Sequence, residues 1–371
     1  LMHFVCSASH SAGKDLEYQY LDTLANGDVR YTVVVRFYRN CFDAASGTFA
    51  SQAPSNVSLS ASTSNCGSWD STFVLDLDTN GTCPNKSGCD ITSLCDNMLF
   101  AGGCQWNQSG IPYYPGLQVY FYRGIIVIPK GCSLVYIGTS DCCRSAAISN
   151  ISNPSTTDCA IQAIINNATD SAGQRLYANN SVSFNQTVIP FACVGAPFVY
   201  NPGAVDVDGD SLVFKLSAPL QGSTLPYSPI TFGTNWSILN PVRNSNGFTF
   251  NSHTGQMTFT PTNTEQDVVA FTVEEYRNGV LVGSTMRDIQ FTVMNCLQST
   301  PFIDTITNLT SGFLSNTDEI SVCPNSALSF SVFCNDFSKS NLSLSSSATS
   351  TPAALPGATL STFSLGTGPN D

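Results

Sequence analysis

Short runs in which every second residue is apolar recur along this chain, with turn-forming residues between them. Leu16-Glu17-Tyr18-Gln19-Tyr20 and Tyr31-Thr32-Val33-Val34-Val35-Arg36-Phe37-Tyr38 flank Asn26-Gly27-Asp28. An Asn-Gly step between two β-rich runs is a hairpin signal. Leu59 to Thr63, Phe73 to Asp78, Val119 to Ile128, Ser133 to Ile137 and Cys159 to Ile165 continue the pattern. Phe248-Thr249-Phe250, His253-Thr254-Gly255 and Met257-Thr258-Phe259 then read as strand, turn and strand. Val268 to Glu275 and Asp288 to Val293 alternate on either side of Arg277-Asn278-Gly279, a second hairpin turn. Many short strands separated by turns predict an all-β chain of tandem β-sandwich modules, Ig-like or cadherin-like.

The chain has 371 residues, enough for two or three cores. The expected division is an N-terminal sandwich over 12–185, an Ig-like or cadherin-like sandwich over 186–296, and the incomplete start of a further repeat over 297–371. Residues 1–11 read either as the remnant of a signal peptide or as a first strand. A cysteine-rich stretch of about 79–116 has few apolar residues, so it is expected to be an insertion held by cross-links.

Composition narrows the function classes. Charged residues make up 11% of the chain and the net charge is −12, which argues against nucleic acid or an anionic membrane as partner. No apolar run has the length of a membrane span, so direct membrane insertion is not expected. The fifteen cysteines have only three histidines for company, and their spacing lacks a zinc pattern, so disulfides in an oxidising compartment are expected. The candidates are Cys41, Cys66, Cys83, Cys89, Cys95, Cys104, Cys132, Cys142, Cys143, Cys159, Cys193, Cys296, Cys323 and Cys334. Adjacent residues on a strand face opposite ways, so Cys142 and Cys143 are expected to bond to two different partners. Arg144 beside them reads as a structural donor to backbone carbonyls.

Two stretches suggest binding. Asp206-Val207-Asp208-Gly209-Asp210 puts a carboxylate at every second position around a glycine bend. Such a loop converges hard oxygens, so Asp206, Asp208 and Asp210 are candidate ligands of a structural Ca²⁺. Trp106, Tyr113 and Tyr114 end the cysteine-rich stretch and could stack on a sugar ring or anchor a protein. Glu274 and Glu275 are adjacent on a strand and therefore face apart, which makes joint chemistry improbable. No H-E-x-x-H, G-x-S-x-G, phosphate loop or dinucleotide fingerprint occurs, and the reading is of a protein that is not an enzyme.

Longer words of the chain carry a resemblance. Tyr38-Arg39-Asn40-Cys41, Cys142-Cys143-Arg144, Asn150-Ile151-Ser152-Asn153, Asn179-Asn180-Ser181-Val182-Ser183-Phe184, Asp206 to Leu212, Glu275-Tyr276-Arg277-Asn278-Gly279 and Arg287-Asp288-Ile289-Gln290-Phe291 appear in that order. Together they resemble the N-terminal region of giant surface proteins of gliding and related Bacteroidota, which are exported by the type IX system. The resemblance implies an extracellular, outer-membrane-attached adhesin or stalk that takes part in attachment or gliding. Its partners would be surface glycans, surface proteins or copies of itself, with export and anchoring through regions beyond Asp371. A self-assembling fibre subunit and a carbohydrate-binding module are the other readings. The resemblance also implies O-glycans in an Asp-Ser/Thr context at Thr23, Ser71, Ser171 and Thr305, with Ser211 shielded by the calcium loop.

Overall fold

The computed structural model describes residues 11–296 except 44–47, 50–52, 67, 83–85, 93–101, 105–113, 173–174, 187 and 189–190; beyond 296 it describes 302–307, 309–311, 313–316, 319–321 and 329–335. The longer strands of the first part are β1 (Ser11–Thr23), β2 (Val29–Asn40), β3 (Asn56–Thr63), β4 (Trp69–Leu77), β5 (Leu117–Ile128) and β6 (Leu134–Asp141). They are followed by β7 (Cys159–Asn166), β8 (Phe191–Cys193), β9 (Ser211–Ser217), β10 (Glu265–Arg277) and β11 (Val280–Met294). The described residues contain no α-helix; a 3-10 turn at Pro154–Thr156 is the exception to strand and loop. The all-β class is therefore as the alternation predicts.

The strands close on themselves. The pairing runs β1, β2, β5, β4, β3, β6, β7 and β11, and β11 returns to β1. Every one of these pairings is antiparallel. One edge of β11 pairs with β10 along its length, while the other meets β7 at Gly283 and Ser284 and β1 at Arg287, Asp288 and Ile289. Closure pairs each of these strands on both sides, although β4 meets β5 only at Asp76 and Leu77 and β3 meets β6 only at Ser60, Ala61 and Ser62. Leu16, Tyr18, Val33, Val35, Tyr122, Ile126, Ile137, Ile161, Ile165 and Met286 fill the interior as one cluster.

A second apolar cluster lies on the other side of β11. There β9, β10, β11 and the parallel strand β8 form a sheet, and Phe198–Tyr200, Met257–Phe259 and Thr249–Phe250 form a smaller one. Phe198, Phe259 and Phe291 meet at centroid distances of 5.0–5.8 Å, which is sandwich packing with aromatic contacts between layers. Both predicted hairpins form: β1 and β2 turn through 24–28, and Arg277 faces Val280 across Asn278-Gly279, both of positive φ.

The expected boundary between 185 and 186 is overturned. The chain separates instead into Leu1–Met294 and Asn295–Asp371, because β11 is at once a wall of the first core and a strand of the second sheet. Gly13 permits this junction. Its φ is +139°, and a Cβ there would lie 2.2 Å from the Asp288 carbonyl oxygen, so only glycine lets β1 approach β11 this closely. The second unit contributes the hairpin-like pairs Phe302–Thr307 with Ser331–Asn335 and Phe313–Asn316 with Glu319–Ser321.

Cross-links reinforce the first unit. Cys41–Cys104 ties the insertion between β4 and β5 to the end of β2, and Cys66–Cys132 joins two turns. Closing loops of 63 and 66 residues stabilises by roughly 4 kcal/mol each in the chain-entropy view. Cys89, Cys193 and Cys296 are also disulfide-bonded. Two expectations fail. Cys142 and Cys143 bond to each other; β6 ends at Asp141, so they sit in a bend where strand alternation does not apply. Cys159 is a free, fully buried thiol near Lys14 and Arg144. Cys83, Cys95 and Cys323 lie outside the described residues, and of Cys334 only its place in Ser331–Asn335 is described.

A fragment ending at residue 185 lacks β11 and leaves β1 and β7 unpaired along their shared opening. It is expected to show no cooperative urea transition, whereas residues 1–294 should unfold in one. A sharp transition in the shorter fragment would contradict the shared-strand account.

Candidate functional site

The polar centre of the first unit lies where β1 crosses β11. Alternation along β1 sends Lys14, Leu16 and Tyr18 toward the ring interior and Asp15 and Glu17 the other way. Asp15 is directly opposite Arg36 on β2 and Arg287 on β11. Arg287 donates to Asp15 Oδ2 at 3.1 and 2.6 Å, Arg36 to Oδ1 at 3.1 Å and Tyr38 to Oδ2 at 2.8 Å. Burial pushes the Asp15 carboxyl up, but Arg287 and Arg36 outweigh it and hold the group below its ordinary value. Arg287 also donates to Tyr200 Oη at 2.7 Å and stacks over Phe184 at 4.0 Å.

One residue further on, the charges face the ring interior. Asp288 lies opposite Lys14 and takes both guanidinium nitrogens of Arg144, at 3.1 and 2.7 Å. Arg144 also donates to the carbonyls of Asp158 and Leu220, so it serves backbone oxygens as expected and a carboxylate besides. Lys14 pairs with Asp141 and donates to the Cys159 carbonyl at 2.7 Å; burial lowers its pKa.

This end of the ring is open. A cavity of about 370 Å³ is lined by Lys14, Phe37, Arg39, Tyr122, Asp141 and Cys142, with Val35, Pro54 and residues of β3 and β6 completing it. The inward series Val33, Val35, Phe37 becomes Arg39 at the mouth, which is why the interior turns polar there. Tyr122 Oη donates to the Pro54 carbonyl at 3.0 Å and fixes one wall. The arrangement can hold a small group that offers both acceptors and an apolar face.

The acidic loop is organised differently from the expected calcium site. Asp210 accepts from Arg277 Nε and Nη2 at 2.7 and 2.8 Å, and Asp208 faces the same guanidinium at 3.1 Å. Asn180 donates its backbone and side-chain N–H groups to Asp208, both at 2.8 Å. Asp206 accepts from the Asp210 N–H at 2.7 Å and turns toward Glu275. Among the described residues Asp206, Asp208 and Asp210 do not bring three oxygens together within ligand reach. Arg277 brings a positive charge to this loop. The register explains it: Ser211 pairs with Tyr276, so Asp210 falls opposite Arg277. Ser211, expected to be shielded, is exposed.

Two buried acids stand apart from any guanidinium clamp. Glu275 accepts from Asn179 at 3.1 Å and Tyr18 at 3.4 Å; burial, and then Asp206, push it well above the usual carboxylate range. Glu274 faces the other way and pairs with Lys215 at 2.6 Å, as adjacent strand positions require. Asp267 is fully buried and its pKa is pushed up to about 9, by burial first and then by Glu265.

The remaining predicted residues are scattered. Trp106 and Tyr113 lie outside the described residues, and Tyr114 begins a two-residue strand paired with Gly102. Thr23 and Ser171 are exposed, Ser71 is half-buried, and Thr305 lies in Phe302–Thr307. The role of Arg287 escaped a reading by motif, although a charged Arg-Asp pair within an apolar run of a sparsely charged chain is a usable signal. No protein-family model, curated protein or solved structure matches this chain.

Two outcomes follow. Arg277→Ala should lower the unfolding free energy by about 1–3 kcal/mol, as loss of charge-assisted hydrogen bonds does, while chelation of divalent ions leaves the melting temperature unmoved. For Asp267 the folded pKa exceeds the unfolded one, so its stabilisation is complete below the unfolded pKa and is lost as pH rises through about 9. Urea titrations of the wild type and Asp267→Asn should therefore diverge between pH 5 and 9, with the variant gaining relative stability as pH rises.

Proposed function

We propose that this chain is a non-catalytic adhesin or stalk segment that works outside the cell, attached to a cell surface. The observation that carries this reading is the union of ring closure with covalent cross-links. β11 locks the N-terminal ring to the second sheet, and Cys41–Cys104 and Cys66–Cys132 cross-link the ring and its insertion. Such a body resists extension and proteolysis, which a segment between a surface and its target must do. Two of the buried acids, Asp15 and Asp288, are each committed to arginines, in keeping with the non-catalytic reading. Stiffness is assigned to disulfides and buried ion pairs, in the role first expected of calcium. Surface glycans, surface proteins and the type IX export route belong to the same proposal through the resemblance.

A second reading, a carbohydrate- or small-ligand-binding module, is favoured by the cavity at the ring mouth with its mixed lining of Lys14, Arg39, Tyr122 and Asp141.

Single-molecule pulling tests the mechanical claim. Reduction should lengthen the fully extended chain by at least roughly 200 Å, the reach of the 63 residues that Cys41–Cys104 shields, with the further disulfides adding to it. Beads coated with the oxidised chain should be retained under flow on glycan- or protein-coated surfaces, and retention on none of them would count against adhesion. Light scattering after size exclusion should give a monomer; ordered polymers would favour a fibre subunit.

A further inference from the structure

We propose that Cys142, Cys143 and Asp158 form a redox-gated site for a thiophilic divalent metal ion such as zinc. The two sulfurs and one Asp158 carboxylate oxygen all lie within 4.8 Å of one another. Two thiolates and a carboxylate are a donor set suited to tetrahedral zinc, with water as the fourth ligand. Ligand atoms around such an ion stand about 3.5 Å apart, within reach of small side-chain rotations from the positions here.

The site is built by its neighbours. Backbone N–H of Arg144 donates to the Thr157 carbonyl at 3.0 Å, and its Nε donates to the Asp158 carbonyl at 3.2 Å. These bonds hold the segment carrying the cysteines against the segment carrying Asp158. Arg144 is itself fixed by its two bonds to Asp288. Asp158 Oδ2 accepts from the Gly222 N–H at 3.2 Å, which orients the carboxylate. Cys142 is exposed and lines the cavity mouth, whereas Cys143 is buried. Access is therefore from the cavity side, through Cys142.

As folded here the two sulfurs are bonded to each other, so the ion can bind only after a two-electron reduction. An external dithiol supplies it. Its first thiolate attacks Cys142 Sγ, the S–S bond breaks, and Cys143 leaves with the electron pair and takes a proton. The second thiol of the reductant then attacks the mixed disulfide, releases Cys142, and leaves the reductant as a cyclic disulfide. The pair has gained two electrons and two protons. Metal binding displaces both protons as two metal–sulfur bonds form. This inference does not depend on the adhesin reading: reduction and metal content are measured on the isolated chain.

The full chain is reduced with a phosphine under anaerobic conditions, incubated with Cd²⁺ or Zn²⁺, freed of excess ion and assayed for bound metal. A Cys142→Ser/Cys143→Ser double variant, treated identically, accounts for ions held by other reduced disulfides. The wild type should retain one equivalent more than the double variant, with cadmium–thiolate absorption to match, and the unreduced chain should lack that equivalent. Asp158→Asn should weaken binding by about tenfold or more, at least the cost of losing an outer-shell partner. Equal metal content in wild type and double variant, or unchanged affinity in Asp158→Asn, would overturn the proposal. Should the double variant not fold, a trivalent arsenical, which bridges neighbouring thiols, is added to the reduced wild type and located by peptide mass spectrometry. It should sit on Cys142 and Cys143, and labelling only elsewhere would overturn the site.

Discussion

The fold of the first unit depends on a buried charge junction between β1 and β11. On one face Asp15 lies between Arg36 and Arg287; on the other, Asp288 is gripped by Arg144. These groups sit between the ring core and the sandwich core, where an unpaired charge is costly. Removing one partner of such a buried pair typically costs about 3–5 kcal/mol, although the intact pair is worth far less against an apolar replacement. The junction therefore acts chiefly on specificity. It fixes the register of β11 against β1, because a slip of one residue would bring Arg287 opposite Lys14 and separate both pairs.

From that register the other features follow. With Arg287 to Ile289 against β1, Gly283 and Ser284 fall against β7 and the ring closes. Glu275, across from Gly283 on β10, is then carried to Tyr18 and Asn179. Hydrogen bonds from Arg144 to Thr157 and Asp158 place the cysteine pair beside the Asp158 carboxylate. Structure and candidate chemistry thus share the same arginine, which links the proposed metal site to the integrity of the core.

Much of this was legible in the sequence, and the failures have a common physical cause. Hairpins at Asn26-Gly27 and Asn278-Gly279 were readable because turn chemistry is local, and strands because their period is local. The division at 185 was misread because β11 joins β1 across more than 270 positions, as in Arg287 with Asp15, and no local pattern records that. The ladder Asp206, Asp208, Asp210 was readable as a charge cluster, but its contact with Arg277 was not, since Arg277 meets it only through the pairing of β9 with β10. Cys142 and Cys143 were assigned to a strand that in fact stops one residue earlier. The buried arginines were visible as Cys142-Cys143-Arg144 and Arg287-Asp288, but their mutual contacts are tertiary.

The central claim is that the charge junction makes the ring and the sandwich one cooperative body. Hydrogen exchange in Asp288→Asn tests it directly, read separately on β3 and β4, far around the ring, and on β9 and β10 in the sandwich. The account predicts that the slowest amides of both regions lose the same protection factor. Loss confined to one region, with the other unchanged, would contradict it.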